Sequence, residues 1–151
     1  MDPEVIMRRS LFLVVFLAGC SGDPNQAQLV PVNGKVMLDN QPLANAVVEF
    51  HPTGSTKGIG AVGRTDGSGA YTLTTPKGGK GIMPGEYKVT VSKLVDPQTG
   101  ADAVLDPSKP PIEQPATKEL LPPHYSNPTL STLTKNVPPG GGSIDISLKK
   151  K

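Results

Sequence analysis

The chain has one cysteine, no tryptophan, three tyrosines, three phenylalanines and two histidines among its 151 residues. A lone cysteine excludes an intrachain disulfide, so the fold must be held by packing. Two of the three phenylalanines, Phe12 and Phe16, fall in an N-terminal apolar run, which leaves Phe50 for the body. The body therefore lacks the exposed aromatic platform that sugar binding favours. No apolar run approaches the ~20 residues that a membrane-spanning helix needs. No Gly-x-Ser-x-Gly elbow marks a nucleophilic serine. The basic field of a nucleic-acid binder is also missing: the net charge is +2, and three of the positive charges are the terminal Lys149, Lys150 and Lys151. Long helices are disfavoured by 17 glycines and 17 prolines, a composition that suits many short strands joined by tight turns.

What is present begins at the N-terminus. Arg8 and Arg9 precede the apolar stretch 11–17, which ends in Leu17-Ala18-Gly19-Cys20. A basic region, a short apolar region and small residues before a cut are the layout of a secretory signal peptide. Met7, just ahead of the arginines, is itself a natural start. Removing residues 1–19 lowers Lys+Arg from 15 to 13 and Asp+Glu from 13 to 11, so the charge stays at +2. The polar run 21–26 after Cys20 reads as a tether, giving a signal peptide 1–19, a tether 20–29 and a domain 30–149. Cleavage by ordinary signal peptidase would leave Cys20 a simple thiol.

The domain shows repeated period-two alternation, the signature of half-buried strands. In 30–38, Val30, Val32, Val36 and Leu38 share a face, with Gly34 read as a bend and 39–42 as a turn. Ala46, Val48 and Phe50 point one way in the next strand, which Pro52 ends. The runs 61–65 and 70–74 flank Asp66-Gly67-Ser68-Gly69, a strong hairpin signal, with Tyr71 and Leu73 facing inward. The strand 87–94 alternates Tyr87, Val89 and Val91 with polar residues. After Pro84-Gly85, Tyr87 fits a tyrosine corner, its ring buried and its hydroxyl bonded back to the turn. The segment 95–118 is Pro-rich and nearly devoid of core residues, a functional or disordered stretch. Strand 129–137 is weaker, with Lys135 at a position expected to be apolar. Ile144, Ile146 and Leu148 form one face of a closing strand. About seven strands with frequent turns predict an all-β, seven-stranded antiparallel Greek-key β-sandwich.

These segments carry two resemblances. Leu17-Ala18-Gly19-Cys20 resembles a bacterial lipobox. That resemblance implies lipidation of Cys20 with acyl chains such as palmitate, cleavage before it, and a lipoprotein held to a membrane of the cell envelope. Ser21 is not the Asp that retains some lipoproteins in the inner membrane, which favours the outer membrane. The body resembles carboxypeptidase regulatory-like (transthyretin/prealbumin-like) domains. The opening is Gly34-Lys35-Val36 and Gln41-Pro42-Leu43-Ala44-Asn45-Ala46-Val47-Val48-Glu49-Phe50. Thr65-Asp66-Gly67-Ser68-Gly69-Ala70-Tyr71 and Pro84-Gly85-Glu86-Tyr87-Lys88-Val89-Thr90-Val91 follow. The segment from Pro122 through Tyr125 and Pro128 to Leu133, with its Gly-rich turn into a last strand, is similar to the ending of small lipoproteins built on this domain.

No candidate chemistry outweighs a structural role. His51 is expected on an outward face and His124 in a loop, so neither is assigned catalysis. The chain end lacks the Tyr-Arg-Gly-Ser of the related hydroxyisourate hydrolases. Three tyrosines and two histidines exist for a ferric site like that of intradiol dioxygenases, but none are clustered in sequence. Asp66 alone is too few oxygens for calcium. The expectation is a non-enzymatic interaction or structural module with no cofactor and no metal, its partners being the membrane through Cys20 and an envelope protein or glycan. The alternative is a small-ligand or carbohydrate binder using loops 53–60, 77–81 and 96–118 gathered at one end of the sandwich.

Overall fold

The structure, a computed structural model, describes residues 28–103, 105 and 108–150. The signal segment 1–19, Cys20 and tether residues 21–27 lie outside the described residues. The described strands are β1 (Val32–Leu38), β2 (Gln41–Pro42), β3 (Val47–Pro52), β4 (Ala61–Arg64), β5 (Ala70–Thr72) and β6 (Gly85–Ser92), followed by β7 (Leu94–Val95), β8 (Lys118–Glu119), β9 (Thr134–Val137), β10 (Gly142–Ser143) and β11 (Ile146–Leu148). A single helical turn, α1 (Pro123–Ser126), lies between β8 and β9. The molecule is all-β.

One sheet runs β4-β3-β6-β9, antiparallel throughout. The other is built around β1. Along β1 the backbone groups of Val32 and Val36 bond towards Leu73, Gly69 and Leu43, while those of Asn33 and Lys35 bond towards Ile144 and Asp145. So β2 and β5 flank one side of β1 in antiparallel register, and β10 and β11 flank the other side in parallel register. The wholly antiparallel expectation is corrected here. Strand β9 ends beside the start of β1, and the turn 138–141 carries the chain across to the β1 sheet and reverses it, so that β10 and β11 run parallel to β1.

The core lies between the sheets. Val32, Val36, Ile146 and Leu148 from one sheet and Val48, Phe50, Tyr87, Val89 and Val91 from the other are buried in one cluster. Each such side chain contributes about 1.5–3 kcal/mol on leaving water. The rings of Phe50 and Tyr87 meet at a centroid distance of 5.9 Å, tilted by 54°, a favourable aromatic geometry. The Tyr87 hydroxyl donates to the Met83 carbonyl at 2.7 Å, as the corner motif requires.

Several local expectations change. Gly34 is no bend; it sits within β1, where a Cβ would collide with the Ile144 carbonyl. The turn 39–42 contracts to Asp39-Asn40, both left-handed (φ 49° and 65°), a two-residue turn that pairs Leu38 with Gln41. The segment around Asp66 is not a simple hairpin. β4 pairs with β3 and β5 with β1, so the turn carries the chain from one sheet to the other, tied by the bridge Val62–Thr74. Of its two glycines Gly69 is the one with positive φ (76°).

Registers also fix which loops share an end. Val30 bridges Ile82, Pro52 pairs with Tyr87, and Gly142 pairs with Val32, so loops 53–60 and 75–84 and the turn 138–141 lie at the Val30 end. Ser92 pairs with Val47 at the opposite end, where loop 96–117 begins. The three loops therefore do not gather at one end.

Candidate functional site

The residues singled out in the sequence are scattered. His51, on the outer face of β3, has Nε2 3.2 Å from Thr90 Oγ1 and 3.5 Å from Glu49 Oε2. His124, in α1, packs its ring against Tyr125 with centroids 4.1 Å apart. The Tyr71 hydroxyl donates to the Ile144 carbonyl at 2.6 Å, as Tyr87 does to Met83. Burial pushes both hydroxyls above the ordinary tyrosine range, and the charge of Asp145 adds to the effect at Tyr71. Among the described residues no three His, Cys, Asp or Glu side chains are placed to hold a metal ion. Asp66 spends Oδ1 on its own turn, accepting from the Ser68 hydroxyl and from the backbone N–H groups of Ser68 and Ala70. The Ser68 bonds, followed by Ala70, hold its carboxyl below the usual carboxylate range.

Two polar constellations were not foreseen. The first anchors the Pro-rich loop. Lys93 donates to the Ala44 carbonyl at 2.7 Å and pairs with Asp102 at 2.7 Å, while Asn45 donates to Asp102 at 2.5 Å. The Lys93 bond foremost, then Asn45, keeps the Asp102 carboxyl below its usual range. Glu119 accepts from the Ser92 hydroxyl and from the N–H groups of Lys93 and Leu121. With the β7–β8 pairing, these contacts close the base of a loop expected to be structureless. Its 3₁₀ turn at Pro111–Glu113 carries Ile112, which is 92% exposed.

The second is a cleft of about 560 Å³ on the outer face of the β1 sheet, reaching the edge of β4. Its construction starts at Gly34. The absent side chain admits the Ile144 carbonyl, which Tyr71 caps from beneath. The β1 ladder is interrupted there between β10 and β11, and the Asp145 carboxylate fills the gap by accepting the Lys35 N–H at 2.8 Å. The outward positions on either side, Asn33, Lys35, Thr72 and Ser143, form the polar lining, with Arg64 at the rim. These residues come from four strands, so no spacing in the sequence joins them; the one local signal was Gly34 inside an alternating run.

No family model matches the chain, and no curated protein matches it. The solved structure of a 9R-lipoxygenase from Cyanothece PCC8801 is similar over 80% of this chain, at 14% identity and a TM-score of 0.37. The chain spans 17% of that enzyme's length, and a likeness this slight carries no argument about fold or activity.

Proposed function

We propose that this protein is a bacterial lipoprotein: a non-enzymatic module anchored to a cell-envelope membrane, favouring the outer membrane, by lipid on Cys20. The observation that carries the reading is Arg8-Arg9, an apolar run and Leu17-Ala18-Gly19-Cys20 ahead of a body without another cysteine. Acyl chains add about 0.8 kcal/mol of membrane affinity per buried CH₂, so more than one chain makes a stable anchor. No helix among the described residues is long and apolar enough to cross a membrane, and lipid would supply the attachment instead.

The body is read as a carboxypeptidase regulatory-like, prealbumin-like Greek-key sandwich. In support, strands of three or more residues among the described ones number seven: β1, β3, β4, β5, β6, β9 and β11. Loop 96–117 starts from the end opposite Val30, so in this reading it is presented away from the membrane and towards an envelope partner. Replacing Cys20 tests the anchor. Cys20→Ala is expected to leave an uncleaved precursor or to release the protein from membranes. A variant that is still processed and still sediments with membranes contradicts the reading.

A further inference from the structure

The cleft on the β1 sheet is unevenly furnished. Its acids are engaged inward: Asp66 Oδ1 by three donors of its own turn, and Asp145 by the Lys35 N–H. Its cations act only through space, the Lys35 charge on Asp66 and the Arg64 charge on Asp102, each as the weakest of the effects that lower those carboxyls. The side chains of Lys35 and Arg64 enter neither an ion pair nor a hydrogen bond among the described residues. The Arg64 guanidinium is a planar fork suited to a carboxylate, and Lys35 is a point charge on a flexible stem. Between and beside them, Asn33, Thr72 and Ser143 offer both donors and acceptors of the kind that match sugar hydroxyls. The volume falls within the range of small-molecule sites, and exceeds what a bare oxyanion fills.

We propose that this cleft binds an acidic sugar, its carboxylate held between Arg64 and Lys35 and its hydroxyls by Asn33, Thr72 and Ser143. Recognition is by charge and hydrogen bonds at the ring edge, so the shortage of exposed aromatics does not weigh against it. The inference rests on the sheet geometry and not on the lipid anchor, so either can fail alone.

The test is a titration of the purified full-length chain with glucuronate, followed by amide NMR shifts, with glucose and inorganic sulfate as comparison probes. Glucuronate is expected to shift the amides of Asn33, Lys35, Thr72 and Ser143 saturably. Arg64→Gln, with the remaining spectrum unchanged, is expected to weaken binding about tenfold, the loss of one charge-assisted contact. Lys35→Gln weakens it in the same direction, and Lys88→Gln, on the other sheet, leaves it unchanged. No shift with glucuronate overturns the proposal. Equal shifts with sulfate overturn the sugar, and equal shifts with glucose overturn the role of the cations.

Discussion

Gly34 and Gly67 are the same residue in opposite surroundings. A Cβ at Gly34 meets the Ile144 backbone carbonyl, whereas a Cβ at Gly67 has nothing within 4 Å. Gly34→Ala is therefore expected to lose about 1–3 kcal/mol or more in urea unfolding, the cost of overpacking against backbone. Gly67→Ala is expected to stay within about 0.5 kcal/mol. Equal effects would contradict the close approach of β1 to Ile144. The two core rings separate in the same assay. Phe50→Ala, emptying a fully buried site, should cost about 3–5 kcal/mol. Tyr87→Phe, which keeps the ring and deletes the bond to Met83, should cost about 0.5–1.5 kcal/mol.

At the scale of elements, Lys135 explains a position that looked wrong for a strand. It lies opposite the inward-facing Tyr87 on the edge strand β9, and its ammonium donates to the Asp145 carbonyl of the other sheet at 2.9 Å. An inward charge on an edge strand discourages pairing with another chain. Lys135→Val should therefore raise self-association, visible by light scattering, without lowering thermal stability much. The base of loop 96–117 depends on the ionised Asp102. Its carboxyl titrates below the usual carboxylate range in the folded chain, so its stabilisation is full above that range. It is lost as pH falls below about 4 towards the folded value. An ion pair this exposed contributes about 0.2–1 kcal/mol, so the readout is local. Amide exchange in β7 and β8 should accelerate on acidification, and in Asp102→Asn that acceleration should shrink. An unchanged pH dependence in the variant would contradict the latch.

At the scale of the whole molecule, the inward faces were legible because alternation is a local property of the chain. Val32 with Val36, Val48 with Phe50, and Tyr87 with Val89 and Val91 all lie where period two puts them. The tyrosine corner was legible for the same reason, since donor and acceptor are four residues apart. Pairing was not. The parallel run of β11 beside β1 joins residues about 110 apart, and β4 and β5 separate into different sheets although the turn between them reads as a hairpin. The Lys35–Arg64 cleft and the Asn45–Asp102–Lys93 contacts inherit that non-locality, because each joins strands and loops that only the folded topology brings together. Cys20 lies outside the described residues, so its role rests on sequence. It is tested most directly by the intact mass of the native protein extracted from membranes. A chain beginning at Cys20 and carrying the added mass of acyl chains is the expected result. A chain with an unmodified Cys20, or one beginning at another residue without acyl mass, would contradict the anchored module.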